Sequence, residues 1–337
     1  MFDKRRDVTE IIGTPTATVR KSHFKRFWWI YAFALLVVIV VIVVPSVLLV
    51  AVPRKAQQTL NQAKLNVESI ALTQTKTDSL VMTIDSTIET DSSVSATVDP
   101  FVGTLYLADR HPPLAFTKIN FPQTTSASKQ VVNVTQESPI LDLGAFTTFN
   151  QAILSSQSVN VQIKGETHVH VRGITRSYPV TFDKTVNLKG LNNFAGLSIS
   201  DPKINALATN NNFNGTVHIP NPSVLTLEIG NTTFTNYFNG EVVGLVYVNN
   251  LVLQPGDNSF PATADIKQLP IINALTMEPF CELNGKLPFQ LSGKTVVNNG
   301  QTLPYFQNAL AASNQSITID LSEAVKLIGI TPKCLKL

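Results

Sequence analysis

From Phe27 to Val52 the chain reads FWWIYAFALLVVIVVIVVPSVLLVAV, without one charged residue. No other stretch restricts the architecture as strongly. As a helix rising about 1.5 Å per residue it is roughly 39 Å long, more than the roughly 30 Å hydrocarbon core of a bilayer. Backbone amides in lipid must be satisfied within the segment, which selects the helix. A secretory signal peptide would carry an apolar core of about 7–15 residues and then a small-residue cleavage site. This run is longer, and LLVAVPRK offers a poor site. The expectation is an uncleaved transmembrane helix at 27–52, tilted to fit its length.

The flanks orient it. Arg20, Lys21, Lys25 and Arg26 precede the run, and Arg54 and Lys55 follow it. The larger positive cluster marks the cytosolic side, and Phe27, Trp28, Trp29 and Tyr31 form an aromatic belt there. Residues 1–26 read as a cytosolic, disordered tail, with Gly13, Pro15 and no periodicity. Residues 53–67, rich in helix formers, read as a stalk. The rest is expected in the lumen or outside the cell, as a single-pass type II integral membrane protein. The span is long enough to favour the thicker vacuolar or plasma membrane over the endoplasmic reticulum.

The formal charge of +3 belongs to the tail. Residues 1–26 hold seven Lys/Arg and three acids, leaving nineteen basic and twenty acidic residues in the remainder. A body so close to neutral lacks the basic face that nucleic-acid binding requires.

Four glycosylation sequons, at Asn133, Asn214, Asn231 and Asn314, all lie after the anchor. Asn221-Pro-Ser is excluded because proline occupies the middle position. Both cysteines, Cys281 and Cys334, share that side. An oxidising compartment favours their pairing over two buried thiols. Closing that loop stabilises by about 4 kcal/mol on the chain-entropy account.

Beyond the stalk, strand patterns dominate. Leu80, Met82, Ile84 and Ile88 alternate, as do Val159, Val161 and Ile163, and Val169 and Val171. Short helices are expected at 145–154, with Phe146, Phe149 and Ile153 on one face, and at 304–313, with Phe306 and Leu310. Four pairs of segments match in order at an offset of about 120–132 residues: 67–84 with 196–213, VDPFVGTLYLAD with PNPSVLTLEIGN, INFP with LVLQP, and VQIKGETHVHVRG with FQLSGKTVVNNG. These argue for two copies of one β-domain, at 68–195 and 196–337. In NGTVHIPNPSVLTLEIGNTT, Pro220 and Pro222 suit a strand entry or edge. Leu225, Leu227 and Ile229 then face inward. Asn231 has the same parity, so a glycan there requires the strand to end at Gly230.

The stretch 219–260 resembles the late-embryogenesis-abundant type 2 (water-stress and hypersensitive-response) domain. The resemblance rests on Asn221-Pro222, the strand Val224–Ile229, the turn Asn239-Gly240, the strand Val242–Val248, and Leu253-Gln254-Pro255-Gly256-Asp257-Asn258. In the first copy Asp99 replaces the asparagine and LADRHPP replaces the turn. The whole layout also resembles a fungal family of single-pass membrane proteins with an uncharacterised lumenal domain. The resemblance implies fibronectin/immunoglobulin-like β-sandwiches without catalysis, some relatives handling lipid or other apolar ligands. The expected architecture is therefore mainly β: two tandem sandwiches behind one transmembrane helix, with a few short helices.

Catalytic and cofactor signatures are missing. His168 and His170 share a strand face with Glu166, yet zinc needs further ligands at matching geometry; a solvated face is the expectation. Asp109-Arg110-His111 is no triad, because consecutive side chains diverge. No nucleophile elbow, metalloprotease pair, phosphate loop or dinucleotide fingerprint occurs. No enzyme, metal or cofactor is expected. Two functions fit: a non-catalytic protein binding lipid or another apolar ligand near the membrane, or a structural protein acting through protein partners.

Overall fold

In the computed structural model, residues 23–91, 95–125, 128–312 and 314–334 are described. Of the tail expected at 1–26, residues 1–22, with Arg20 and Lys21, lie outside them, while residues 23–26 are not irregular but open the first helix.

The apolar run is helical throughout. α1 (His23–Ser46) passes into a π-helical turn at Val47–Ala51 and then into α2 (Val52–Gln62). The π turn follows Pro45, which lacks an amide hydrogen for the α-helical ladder. This is one N-terminal helix long and apolar enough to cross a membrane, and its apolar window is wholly unburied. The chain divides into two compact units, one ending at Arg54 and the other spanning Lys55–Leu337.

The second unit is mainly β. Its strands are β1 (Lys64–Thr73), β2 (Ser79–Glu89), β3 (Ala96–Val98), β4 (Phe101–Leu107), β5 (Leu114–Phe121), β6 (Thr124–Thr125), β7 (Lys129–Pro139), β8 (Ser158–Val171) and β9 (Ser177–Lys189), then β10 (Ser198–Ile204), β11 (Phe213–Asn221), β12 (Leu225–Phe238), β13 (Glu241–Leu253), β14 (Gly256–Ile266), β15 (Lys286–Asn298), β16 (Gln301–Thr302) and β17 (Gln315–Asp320). Four short helices interrupt them: α3 (Leu143–Ser155), α4 (Gln268–Thr276), α5 (Pro304–Ala311) and α6 (Ser322–Lys326). Strand β1 begins at Lys64, so the last residues of the expected stalk are strand. The stalk helix is held at its end: Lys184 Nζ donates to the carbonyls of Asn61 and Ala63 at 2.8 and 2.6 Å. Gln57 exchanges two hydrogen bonds with the backbone of Thr181.

The alternating segments form the expected strands. Leu80, Met82, Ile84, Val159, Val161, Ile163 and Val169 are buried, with their neighbours facing out. The two helical patterns become α3 and α5, whose Phe146 and Tyr305 rings meet edge-on at 4.9 Å. Pairing gives two sheets. The larger runs β10-β11-β14-β13-β12-β1-β2-β7, with β15 on β12 and β17 on β15. The smaller runs β5-β4-β8-β3-β6, with β9 on β8. The segments before and after Ala195 share the larger sheet through a parallel pairing, Ile70–Leu72 against Leu225–Leu227. A polar clasp reinforces this seam. The Glu228 carboxylate accepts from the Gln74 amide at 2.7 Å and from Asn298 Nδ2 at 2.8 Å, and Thr75 Oγ1 donates to the Glu228 carbonyl.

Strand β12 departs from its expected end. It continues from Leu225 to Phe238, because the register shifts on both sides of Gly230, whose φ is +98°. A β-bulge inserts a residue and flips the faces beyond it. Before the bulge Leu225, Leu227 and Ile229 are buried; after it Thr232, Phe234, Asn236 and Phe238 are. Asn231 therefore turns outward without the strand ending. The bulge also divides the strand's partners on one edge. Leu225–Leu227 pair with β1, and Asn231–Tyr237 pair with β15.

The Pro-Asn-Pro step closes β11 and is not the start of β12. Asn221, nearly fully buried, accepts from the Ser223 amide and hydroxyl and donates to the Leu225 carbonyl at 2.7 Å. The side chain thus builds the turn that feeds β12.

Candidate functional site

The β-rich unit holds an apolar cavity that Asn236 of β12 helps to line. Its walls are Ile199 and Ile204 of β10, Val246 of β13, Ala262, Ala264 and Ile266 of β14, Leu291 of β15, and Ile317 and Ile319 of β17. α4 contributes Ile271, Ile272 and Leu275, and the α6 region contributes Val325 and Ile328. Of its apolar lining, Ile199, Ile204, Phe213, Val246, Ile266, Ile272 and Ile328 are partly exposed, whereas Leu291 and Ile317, like Asn236, are buried. The space reachable by the centre of a water-sized sphere is about 70 Å³. A single water needs about 10–15 Å³ on that measure, so the cavity admits a slender molecule and not a bulky one. A smaller apolar space shares Ile199, Val246, Ala262 and Leu291 with it and extends towards Phe194 and Leu251. A third, between β1–β2 and the smaller sheet, shares no lining residue with either.

Three polar side chains line the cavity under α4 and α6. Asn212 is satisfied, its amide exchanging two hydrogen bonds with the Ile266 backbone at the end of β14. Gln268 donates to the Asn205 carbonyl at 3.2 Å, tying α4 to the β10–β11 turn. Asn236, 4% exposed, is different: its Oδ1 has no hydrogen-bond partner among the described residues. Ser138, Asn150 and Tyr178 hold other such atoms, and none of them lines this cavity.

The cover is held from both sides. The Leu321 amide donates to the Gly285 carbonyl, and Asp320 Oδ1 accepts from the Ser322 amide at 3.0 Å. Hydrogen bonds from the Ser322 side chain and backbone hold the Asp320 carboxyl below its usual range. Cys281, beside α4, and Cys334, beyond α6, form a disulfide with Cα atoms 5.0 Å apart. Among the described residues of the β-rich unit, the most exposed leucines lie on α4, just after α6 and in the β10–β11 turn. Leu207 in the β10–β11 turn is 97% exposed, Leu327 after α6 87%, and Leu269 on α4 69%.

The glycosylation acceptors are all exposed: Asn133 on the edge strand β7, Asn214 on β11, Asn231 beyond the bulge, and Asn314 before β17. They are spread over separate strands and do not converge on the cavity. His168 and His170 project from the exposed face of β8, where His170 Nε2 lies 2.9 Å from Asp99 Oδ2. Among the described residues no group of three or more His, Cys, Asp or Glu could hold a metal. Asp109 clamps the turn after β4, accepting from the Asn160 side chain and backbone, which lower its pKa. Sequence reasoning passed over Asn236. The signal was an asparagine between Phe234 and Phe238 at period two, readable only once the bulge sets the phase.

Over residues 114–236, from the start of β5 to Asn236, the chain matches a family described as "Protein of unknown function (DUF3712)". No curated protein matches it. Among solved structures, red sea bream transglutaminase is 8% identical with a TM-score of 0.28, over 80% of this chain and 33% of that one. The chain thus spans about a third of that enzyme. A bacterial adhesin from Mobiluncus mulieris is 8% identical with a TM-score of 0.20, over 77% and 98% of the two chains. The CupB6 tip adhesin from Pseudomonas aeruginosa is 7% identical with a TM-score of 0.19, over 77% and 98%.

Proposed function

We propose that residues 55–337 are a non-catalytic receptor for a slender apolar molecule. The α1–α2 helix anchors them, with the N-terminus cytosolic and the β-rich unit on the lumenal side of a vacuolar or cell-surface membrane. The observation carrying this reading is the cavity under α4 and α6, walled chiefly by Ile, Val, Leu and Ala, with partly exposed Ile272 and Ile328 in its lining. Burying apolar ligand surface there is favourable by about 25 cal/mol per Å². The exposed Leu207, Leu269 and Leu327 suit a rim through which such a molecule leaves a bilayer without crossing water.

We also read the β-rich unit as two copies of one sandwich-like domain. The support is a repeated pairing scheme. β1-β2-β7 corresponds to β10-β11-β14, and β5-β4-β8-β9 to β13-β12-β15-β17. The four sequence matches cover β1, β2, β4, β5 and β8 against β10, β11, β12, β13 and β15, and pairing order adds β7 with β14 and β9 with β17. The second copy adds the long end of β12, and with it the apolar cavity lined by Asn236.

The test uses the full chain, expressed in eukaryotic cells and transferred to phosphatidylcholine nanodiscs. Organic extraction and mass spectrometry should find one apolar species, absent from empty discs, near one per chain. Ile272→Trp, at a partly exposed lining position, should remove it without lowering the melting temperature. Equal content in both proteins, or none in either, would sink the reading. The same exposed leucines favour a second reading, docking of a protein partner. Under it, proximity labelling should return partners that a Leu→Ser change at all three positions abolishes.

A further inference from the structure

Asn236 is poorly suited to a cavity meant only for hydrocarbon. A buried amide oxygen without a partner costs about 1–3 kcal/mol, and an apolar residue of similar size would avoid that cost. The bulge at Gly230 directs this side chain inward, on the part of β12 that extends beyond the length of β4. The cavity of the first copy supplies a contrast. There the polar lining residue Ser86 donates to the Val132 carbonyl at 2.8 Å and is satisfied.

We infer that Asn236 Oδ1 accepts a hydrogen bond from the ligand's head group, so that the ligand binds head first, with its chain running out past Ile272 and Ile328. This inference rests on the apolar-receptor reading and specifies its ligand. The head must be uncharged, because Asn212 and Gln268, the other polar lining residues, are engaged elsewhere and neither is ionised. An ion buried there would have no counter-charge. It must donate a hydrogen bond, because the orphaned atom is an acceptor. The body must be slender, because the free space is about 70 Å³. A long-chain alcohol, or a long-chain acid in its protonated form, has this chemistry; a phospholipid head or a plain alkane does not.

Photoreactive hexadecanols test both anchoring and direction in the full-length protein in phosphatidylcholine nanodiscs. A diazirine next to the hydroxyl should crosslink buried residues near Leu291 and Ile317. A diazirine midway along the chain, where it passes out of the cavity, should crosslink Ile272 or Ile328. Unlabelled hexadecanol should compete about tenfold better than its methyl ether or hexadecane. Asn236→Leu should erase that preference while photoreactive hexadecane still labels the cavity. The reversed labelling order, or equal competition by all three in the wild-type protein, would overturn the inference even if the variant did not fold. Absence of cavity labelling by both the alcohol and the alkane would instead overturn the receptor reading itself.

Discussion

Gly230 decides which side chains reach the cavity, and alanine there has a calculable effect. The glycine sits at φ +98°, where an L-residue costs roughly 1–2 kcal/mol. An added Cβ would also lie 2.6 Å from the Val297 carbonyl oxygen and 2.8 Å from Asn298 Cβ. Val297 pairs with Asn231 across β12 and β15, and Asn298 is the last residue of β15, so relief requires this end of β15 to move away from β12; overpacking of this kind costs about 1–3 kcal/mol more. Gly240, in the β12–β13 turn, isolates the first contribution. Its φ is +80°, and a Cβ there would meet nothing within 4 Å. Gly230→Ala should therefore destabilise by about 2–5 kcal/mol and Gly240→Ala by about 1–2. Hydrogen exchange is the suitable assay because it reads β12 and β15 amides separately and needs no two-state unfolding of so large a unit. At about 1.4 kcal/mol per factor of ten, Gly230→Ala should speed exchange from Asn231 to Phe238 by roughly 30-fold or more. Equal effects of the two substitutions would refute the claim that the bulge is sterically locked.

Asn221→Ala should destabilise by about 3 kcal/mol in chemical unfolding, because it removes three hydrogen bonds in a buried turn and leaves the Leu225 carbonyl without its side-chain donor. Removing the disulfide with Cys281→Ser and Cys334→Ser should cost up to about 4 kcal/mol and raise exchange in α6, the cavity cover. The cover should also loosen in acid. The Asp320 pKa is lower folded than unfolded, so the unfolded state binds more protons between the two values. The contribution is present above the unfolded pKa near 3.8 and is lost as pH falls through the folded value. Asp320→Asn should flatten that acid dependence of α6 exchange, and an unchanged profile would remove Asp320 from the account. Gln in place of Asn133, Asn214, Asn231 or Asn314 should each delete one glycosidase-sensitive mass increment if the β-rich unit is lumenal; a chain lacking all such increments would contradict that placement.

Features set by neighbouring residues could be read from the chain. An uncharged run from Phe27 to Val52 must be helical in lipid, since only that conformation satisfies its own amides. Period-two alternation placed Leu80–Ile84 and Val159–Ile163 on strands, because the pleat sends successive side chains to opposite faces. Asn239-Gly240 closed a hairpin because both residues tolerate positive φ, and they take it, at +50° and +80°. Alternation alone nevertheless misjudged Asn231 and overlooked Asn236. The sequence has the same period on both sides of Gly230, and the phase changes only because β12 gives one edge first to β1 and then to β15. Those partners lie far away in the chain, and the bulge is where their two registers are reconciled. The cavity has the same origin. Its isoleucines looked like ordinary core residues, and the space between them exists only where β10, β13, β14, β15 and β17 meet α4 and the α6 region. Local chemistry determined the elements and the long apolar N-terminal helix. The tertiary structure decided which polar atom would be left unpaired in an apolar space, because an orphaned acceptor is a property of everything around it.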